Sequence, residues 1–167
     1  MSQEKASIVI IDDHPLLRKG IRQLIEDEED LMLVGEAGLP EEGVKMALEL
    51  DPDLILLDLN MPETNGIEVL KQLRAEGVAS RIVMFTVSDH EEDVVAALKS
   101  GADGYLLKDM EPEELLEELH QAALGKMVVS ERLTTLLAEA LRNQRSPASG
   151  PDIANLTARE MQIMRLI

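Results

Sequence analysis

The segment ILLDLNMP, residues 55–62, changes character at its fourth position. An apolar run suited to a buried strand ends at Asp58, and Asn60 and Pro62 follow at once. A carboxylate at the end of a buried strand is costly unless a cation or hydrogen-bond donors compensate its charge. The segment therefore raises the question of which partner Asp58 has elsewhere in the chain.

Short apolar runs alternate with amphipathic stretches from residue 7 to residue 125. The five apolar runs are SIVIID (7–12), LMLVGEA (31–37), LILLD (54–58), RIVMFT (81–86) and GYLLK (104–108). Apolar residues recur at helical spacing over 15–26, 40–50, 65–76, 91–100 and 112–124. The alternation predicts an α/β fold, a doubly wound parallel sheet of five strands with helices on both faces. Right-handed crossovers favour the flavodoxin-like strand order 2-1-3-4-5.

Polar residues and glycines mark the ends of these helices. Ser88 and Glu91 have the spacing of a capping box, which predicts that the fourth helix begins between them. Gly101 and Gly125 are predicted to end the fourth and fifth helices, since glycine is common just after the last helical turn.

Composition limits the compartment of the protein. The 167 residues include no cysteine, which excludes disulfides and zinc–thiolate sites and fits a reducing cytoplasm. No apolar run approaches the roughly 18 residues needed to span a membrane, and the first residues lack the features of a signal peptide. We therefore expect a cytoplasmic protein with no membrane contact.

The net charge of −17 is unevenly distributed along the chain. Residues 1–125 carry 29 acidic and 10 basic residues, whereas residues 126–167 carry 4 acidic and 6 basic residues. The acidic part should repel nucleic acid, and with one Phe, one Tyr and no Trp the chain offers few aromatic rings on which bases could stack. The two parts are expected to differ in function, and the first is not expected to read nucleic acid.

The pattern changes after Gly125. A stripe of apolar residues predicts a sixth helix over 131–143, which could be a hinge, a dimer seam or, most simply, a lid over apolar surface. Ser, Pro and Gly over 145–152 are typical of a flexible linker, and LTAREMQIMRLI (156–167) predicts the beginning of another helix. The predicted parts are a main domain over 1–125, a linker region over 126–152 and a further segment over 153–167.

Polar residues end four of the predicted strands, at the edge where doubly wound sheets bind their ligands. The five residues in these positions are Asp12 and Asp13 at the end of the first strand, Asp58 at the end of the third, Thr86 at the end of the fourth and Lys108 at the end of the fifth. The carboxyl ends of parallel strands share one edge, so these side chains are expected to meet near the point where the strand order reverses.

Three carboxylates brought close together repel each other unless a cation lies among them. Oxygen ligands with room for water favour Mg²⁺ over Ca²⁺. The predicted ligands are Asp12, Asp13, Asp58 and the backbone carbonyl of Asn60. A carboxylate beside such an ion can attack a phosphoryl group as a nucleophile, and Asp58 is predicted to do so. Lys108 would neutralise charge on the phosphoryl oxygens, and Thr86 would bond to the attached phosphate.

Each of these residues also has an ordinary structural interpretation. An acid after a strand is commonly a turn or cap residue, a lysine is usually solvated, and a threonine suits a strand. Convergence of all five on one edge favours a site, because independent accidents rarely produce it. Imidazoles suit Mg²⁺ poorly. The histidines interpreted instead as surface or packing residues are His14, His90 and His120.

Four motifs together resemble the receiver domain of bacterial two-component response regulators. They are IIDDHP (10–15), LLDLNMP (56–62), the Thr86-x-Ser88 segment and GYLLK (104–108). The resemblance spans residues 7–125 without a gap. GADGYLLKDMEPEELLEELHQAA and the later LTARE start are similar to the nitrate/nitrite-regulator branch of the LuxR/FixJ group, in which a linker joins the receiver to a helix-turn-helix domain.

The resemblance implies that a sensor histidine kinase donates a phosphoryl group to Asp58, and that the protein is a regulator rather than an enzyme. It also implies that Thr86 and Tyr105 form a switch pair, with Tyr105 turning inward as Thr86 shifts toward the phosphate. The face formed by the fourth helix, the fifth strand and the fifth helix would then change its arrangement. The sequence does not decide between a monomer and a homodimer that forms on phosphorylation.

The resemblance further implies a DNA-binding module longer than the last segment of this sequence. In that group the part beginning LTARE continues through a recognition helix that enters the major groove. The sequence ends at Ile167, and Arg159 and Arg165 alone cannot supply a groove-reading surface. We expect that the sequence is truncated within this module, either because the chain was shortened deliberately or because its reading frame is interrupted. Promoter DNA would then be a partner only through the missing part, with no specific DNA binding by these 167 residues.

Two other classes of function use a similar sheet. A Mg²⁺-dependent phosphatase or phosphotransferase of the haloacid-dehalogenase type also forms an aspartyl phosphate, but it needs a second acid where Asn60 stands. A flavodoxin-like cofactor carrier needs a phosphate-binding loop rich in Ser, Thr and Gly after the first strand, and aromatic residues to enclose the flavin. The acids after the first strand and the single Phe argue against such a carrier.

Overall fold

The computed structural model of the chain describes residues 5–61 and 64–144. In these residues one parallel sheet has the strand order β2-β1-β3-β4-β5-β6. Its strands are β1 Ala6–Ile11, β2 Leu31–Ala37, β3 Leu54–Leu57, β4 Arg81–Thr86, β5 Gly104–Leu107 and β6 Val128–Val129. The helices are α1 Pro15–Glu26, α2 Pro40–Leu50, α3 Gly66–Ala75, α4 Glu91–Lys99, α5 Pro112–Ala123 and α6 Glu131–Gln144. The predicted α/β fold and the order of its first five strands are confirmed.

The predicted number of five strands is wrong by one. β6 pairs in parallel with β5, which brings Val128 opposite Gly104 and Val129 opposite Tyr105. Two residues are too few to show a strand periodicity, so the sequence pattern does not reveal β6. A Cβ atom at Gly104 would lie 2.6 Å from the Val128 carbonyl oxygen. Glycine at this position therefore allows the edge strand to approach β5.

Apolar side chains cover both faces of the sheet, because successive strand residues point to opposite sides. One buried cluster joins strand residues to α1 and α5, and it includes Ile8, Leu56, Phe85, Ile21, Ile25 and Leu119. The alternate strand residues are also buried, as are side chains of α2, α3 and α4; they include Val9, Ile55, Met84, Val44, Leu70 and Val94. Burial on both faces confines the polar side chains of the inner strands to the strand ends.

The helix ends agree only in part with the prediction. Gly101 (φ 110°) and Gly125 (φ 96°) adopt the left-handed conformation just beyond α4 and α5, which confirms both predicted stops. The capping box predicted from Ser88 and Glu91 is wrong. α4 begins after His90, and the Ser88 hydroxyl donates a 2.6 Å hydrogen bond to a carboxylate in the first turn of α4.

Arg74, near the end of α3, ties together the loops that precede β4 and β5. Its guanidinium donates to the carbonyl oxygens of Val78 (2.9 Å) and Ser80 (2.8 Å) in one loop. It also donates twice to the Gly101 carbonyl oxygen (3.1 and 2.8 Å) and once to the Asp103 carboxylate (2.8 Å) in the other. The planar fork of arginine matches this set of directed acceptors, and lysine could not reproduce it.

α6 is described by itself. It covers the predicted helix over 131–143 and extends it by one residue. The chain divides into two compact units directly before α6. The predicted linker over 145–152 and the segment over 153–167 lie outside the described residues, so the three-part division of the chain stays a prediction.

Replacing Arg74 with lysine should lower the free energy of unfolding by about 2 to 3 kcal/mol, because three carbonyl groups and one carboxylate lose directed hydrogen bonds to a charged donor. Chemical denaturation followed by circular dichroism measures the change. Arg81→Lys is the matched control, since Arg81 contacts the same Asp103 carboxylate only at 3.8 Å and is half-exposed. The control should change the free energy by less than about 0.5 kcal/mol. Equal losses in the two variants would contradict the role given to Arg74.

Candidate functional site

The hydrogen-bond ladders of the sheet continue one residue beyond three strand ends and so align the polar residues there. The Asp12 amide donates to the Ala37 carbonyl at 2.9 Å, and the Asp58 amide donates to the Ile11 carbonyl at 3.0 Å. The Lys108 amide likewise donates to the Thr86 carbonyl at 2.9 Å. Backbone pairing therefore fixes Asp12 beside Asp58 on one side of the site and Thr86 beside Lys108 on the other.

The three predicted carboxylates converge at this edge. One ligand atom each from Asp12, Asp13, Asp58 and His14 lies within 4.8 Å of the others. Asp12 and Asp58 are each only 2% exposed, whereas Asp13 is more open to solvent. The strand order predicted this meeting of Asp12, Asp13 and Asp58, and it places them at the reversal between β1 and β3.

Lys108 is a buried counter-charge rather than a solvated surface lysine. Its Nζ lies 2.8 Å from Asp12 Oδ2 and 3.3 Å from Asp58 Oδ2, with only 11% of the side chain exposed. One ammonium group so placed neutralises part of the charge of two buried carboxylates. It leaves the carboxylate cluster with a net negative charge.

His14 also belongs to this cluster, although its side chain is 58% exposed, as the interpretation of a surface histidine expects. Its Nδ1 lies 2.8 Å from Asp12 Oδ1 and 3.3 Å from Asp13 Oδ1. The His14 amide also donates to Asp12 Oδ1 at 2.9 Å, which forms a local turn at the beginning of α1. A signal is present in the sequence, because His14 follows the two acids directly. The poor fit between imidazole and Mg²⁺ obscures it.

Asp58 has one oxygen that the surrounding protein leaves without a hydrogen bond. Its Oδ1 accepts a 3.3 Å bond from the Asn60 amide. Its Oδ2 is buried and accepts none from the described residues, although Lys108 Nζ lies at ion-pair distance. Burial, followed by the charge of Asp12, raises the pKa of Asp58 above its usual value, and Lys108 and the Asn60 amide offset only part of this effect. The carboxylate is thus charged at a cost that an additional cation would relieve.

The donor set at this edge fits a hard divalent ion. Asp13 Oδ1 is, like Asp58 Oδ2, a buried oxygen with no hydrogen bond from the described residues. Two such oxygens beside a third carboxylate offer oxygen-only ligation of the kind that Mg²⁺ accepts. His14 is the non-oxygen member of the cluster, and its Nδ1 is already directed toward Asp12.

A chain of weaker polar contacts leads away from the carboxylates. The buried Thr86 Oγ1 accepts from the Asn60 side-chain amide at 3.4 Å and from the Ser88 backbone amide at 3.3 Å. The Asn60 side chain therefore links the segment after β3 to the end of β4. Ser88, which the sequence singled out only as part of a motif, joins Thr86 to the loop before α4.

Tyr105 completes this chain of contacts from β5. Its side chain is fully buried, and its hydroxyl donates to the Ser88 carbonyl at 3.0 Å. Burial is the main reason that the pKa of Tyr105 rises to about 12, so the phenol stays a hydrogen-bond donor at neutral pH. These hydrogen bonds do not join Thr86 to Tyr105 directly. Ser88 links them, through its amide to Thr86 and through its carbonyl to Tyr105.

Gly66 allows the loop after Asp58 to fold back on the beginning of α3. A Cβ atom there would lie 2.2 Å from the Asp58 carbonyl oxygen, and the Gly66 amide donates to the Leu59 carbonyl at 2.6 Å. Sequence reasoning missed this residue. The available signal was the Asn65-Gly66 pair, in which the Asn65 side chain caps α3 by accepting from the Ile67 amide at 2.7 Å.

Comparison with known proteins gives a consistent result. Residues 8–120 match the family model of the response regulator receiver domain. The nitrate/nitrite response regulator protein NarL of Escherichia coli (strain K12) is 58% identical over 166 residues, which cover 99% of this chain and 76% of that protein. A nitrate/nitrite response regulator protein homolog of Haemophilus influenzae is 44% identical over 165 residues, with the same two coverages.

Solved structures agree with the sequence matches. A two-component response regulator of the LuxR family from Aurantimonas sp. SI85-9A1 superposes with a TM-score of 0.77 at 32% identity. The alignment covers 82% of this chain and 98% of that one.

Asp58→Asn should raise the melting temperature by a few degrees at neutral pH without divalent ions. A carboxyl group whose pKa is raised by folding binds its proton more tightly in the folded than in the unfolded chain. The free energy of unfolding therefore falls as the pH rises from the pKa of Asp58 in the unfolded chain to its higher pKa in the folded chain. At pH values above both, the ionised Asp58 destabilises the fold. The gain in Asp58→Asn should vanish below both values. Thermal melts at several pH values measure it.

The control for this prediction is Asp27→Asn, which removes one charge from an exposed position at the end of α1. It corrects for the general benefit of reducing the negative charge of the chain. Equal melting temperatures for Asp58→Asn and Asp27→Asn would show that the burial of Asp58 has no effect on stability.

Proposed function

This chain belongs to the response regulator receiver family, and we propose that Asp58 is the residue that accepts its phosphoryl group. The observation that carries the proposal is the unbonded Oδ2 of Asp58 at the strand edge, with Lys108 Nζ 3.3 Å away. A nucleophilic oxygen must have a free lone pair, and the positive group beside it can receive the incoming phosphoryl charge. The donor would be a phosphohistidine of a sensor histidine kinase.

The transfer exchanges one covalent bond for another. An Asp58 carboxylate oxygen forms a bond to phosphorus while the bond between phosphorus and the kinase histidine nitrogen breaks, and the histidine leaves with the electron pair. Lys108 would bind a phosphoryl oxygen during this step, because its ammonium group already faces Asp58. The raised pKa of Asp58 supports the assignment, since it makes the carboxylate a stronger base than an exposed one.

A bound Mg²⁺ would neutralise charge on the phosphoryl oxygens and on the carboxylates. The residues proposed to hold it are Asp12, Asp13, Asp58 and the backbone carbonyl of Asn60. The buried oxygens without hydrogen bonds on Asp13 and Asp58 support this set. Asp12 would bind the ion through one carboxylate oxygen, while its Oδ1 keeps the hydrogen bond from the His14 amide just before α1. His14 would hold Asp12 in position from the solvent side.

We propose that Thr86 and Tyr105 report the state of Asp58 to the face formed by α4, β5 and α5. The Thr86 hydroxyl would bond to the attached phosphate, which competes with its present contacts to Asn60 and Ser88. A change at the Ser88 amide would reach Tyr105, because the Tyr105 hydroxyl bonds to the Ser88 carbonyl. The result would be a shift in population between two arrangements of the loop before α4.

The site favours a regulator over an enzyme that turns over foreign substrates. An aspartyl-phosphate phosphatase of the haloacid-dehalogenase type requires an acid two residues after its nucleophile. Asn60 occupies that position, and its side chain bonds to Thr86 instead. Slow transfer or hydrolysis of the protein's own phosphoryl group stays compatible with this site.

The remaining partners are proposed from the family. A main domain over 1–125 would receive the signal, and promoter DNA would be bound through a segment that follows it, as the nitrate/nitrite response regulators suggest. The number of copies stays open between a monomer and a homodimer formed on phosphorylation. Within the described part of the chain, no helix combines the length and apolar character that crossing a bilayer requires. We propose a cytoplasmic site of action because the kinase and DNA partners of this family act there.

Incubation with acetyl phosphate and Mg²⁺ should add one phosphoryl group to the chain, detected by intact mass. Asp58→Asn should abolish the adduct because the amide cannot act as the nucleophile, and EDTA should abolish it because the carboxylates then lack their cation. Asp53→Asn is the matched control, since Asp53 lies just before β3 and bonds to Ser7 far from the strand edge. It should be phosphorylated like the unchanged chain. An adduct that persists in Asp58→Asn would identify a different nucleophile.

Tyr105→Phe should leave phosphorylation intact but loosen the loop before α4, because it removes the hydrogen bond to Ser88. Amide hydrogen exchange over residues 87–90 should be several-fold faster, in line with a hydrogen bond of about 1 kcal/mol.

Thr86→Ala should also be phosphorylated, yet phosphorylation should no longer alter exchange in this loop. An unchanged response of the loop in Thr86→Ala would refute the proposed coupling.

A further inference from the structure

A second group of metal-binding side chains lies away from the strand edge. It consists of Glu28 and Asp30, between α1 and β2, and His120 in the last turn of α5. His120 Nε2 lies 3.1 Å from Glu28 Oε1 and 3.1 Å from Asp30 Oδ1. The three residues come from segments about ninety positions apart in the sequence, so the fold rather than local spacing assembles them.

The direction of the imidazole distinguishes this group from an ordinary ion pair. Nε2 is buried at the atomic level, yet it makes no hydrogen bond to any described residue despite the two nearby oxygens. The oxygens therefore lie beside the axis along which the ring nitrogen directs its proton or its lone pair. Two acceptors away from that axis, at equal distance, are poorly placed to receive a proton, and with the nitrogen they bring three possible ligand atoms within 4.8 Å of one another.

The distances agree with this interpretation. Zinc binds imidazole nitrogen and carboxylate oxygen at about 2.0 to 2.2 Å, so two ligands on one tetrahedral ion are separated by about 3.3 Å. The two nitrogen–oxygen separations of 3.1 Å are close to that value. The oxygens of Glu28 and Asp30 also lie within 4.8 Å of each other, a separation that a small rotation of the exposed Asp30 carboxylate can shorten.

We propose that Glu28, Asp30 and His120 form a binding site for a first-row divalent metal ion, with Zn²⁺ as the best-fitting ion. One nitrogen and two oxygen ligands suit Zn²⁺, whereas Mg²⁺ and Ca²⁺ prefer oxygen alone. Water would occupy the fourth position, because Asp30 is exposed. The strongly negative charge of the chain, −17, favours the approach of a cation to this surface.

A metal ion at this position would join α5 to the turn between α1 and β2. Both segments border the apolar cluster beneath α1 and α5, in which Ile25, Leu31 and Leu119 are almost fully buried. A bridge between distant parts of the sequence stabilises the folded chain by the free energy of metal binding. The ion would thus clamp one side of α5, independently of events at Asp58.

Equilibrium dialysis against Zn²⁺ in excess Mg²⁺, followed by elemental analysis, tests the proposal on the complete 167-residue chain. The excess Mg²⁺ limits Zn²⁺ binding at the strand-edge carboxylates. His120→Gln and the double variant Glu28→Gln/Asp30→Asn should each bind one Zn²⁺ fewer per chain, or bind it at least tenfold more weakly. His90→Gln is the matched control, because His90 is exposed and belongs to neither group. It should bind Zn²⁺ like the unchanged chain.

A thermal melt provides the second measurement. Zn²⁺ should raise the melting temperature of the unchanged chain and of Asp58→Asn, but not that of His120→Gln, whose metal-free melt checks its folding. Equal Zn²⁺ binding by the unchanged chain and His120→Gln would overturn the proposal and leave His120 as a contact of two carboxylates with no metal-binding role. Since Asp58→Asn retains this site, a failure here is distinguishable from a failure of the proposed phosphorylation.

Discussion

Mutual repulsion among Asp12, Asp13 and Asp58 is the constraint on which the rest of this structure depends. Two of these carboxylates are almost fully buried, and one lysine cannot balance three negative charges. The parallel ladders hold them together because the amides of Asp12 and Asp58 continue the hydrogen bonding of β1 and β3. The backbone thus holds the carboxylates together at a cost in free energy, and a cation that relieves the repulsion binds more tightly for that reason.

The surrounding structure is organised so that this cost does not unfold the edge. Apolar side chains bury the inner strands on both faces, which leaves the carboxylates little freedom to separate. At the opposite ends of β4 and β5, Arg74 uses five hydrogen bonds to fix the two preceding loops. Gly66 lets the loop after Asp58 pack closely on α3. Surroundings packed in this way would preorganise the edge for the proposed phosphoryl transfer.

Features set by backbone regularity were predictable from the sequence, whereas contacts decided by single side chains were not. The positions of Asp58 and Lys108 could be predicted from strand order, because a ladder carries each strand end to a definite place. β6 was missed since Val128 and Val129 are too few to show a period. The contact of His14 with Asp12 depends on a turn, and the contacts of His120 depend on how distant segments pack. No periodicity of the chain encodes either of these contacts.

The hydrogen bonds that Thr86 and Tyr105 each make with Ser88 suggest how a small group at Asp58 would change a large surface in the proposed mechanism. Their bonds to Ser88 are single and fairly long, 3.3 Å from its amide to Thr86 and 3.0 Å from Tyr105 to its carbonyl. A hydrogen bond of this type contributes about 1 kcal/mol net, because water can replace either partner. The proposed switch would then need only two arrangements of the loop that differ by a similarly small free energy. One new bond from a phosphate to Thr86 would be comparable in strength to the contacts it replaces, so it could reverse the preference without disturbing the core.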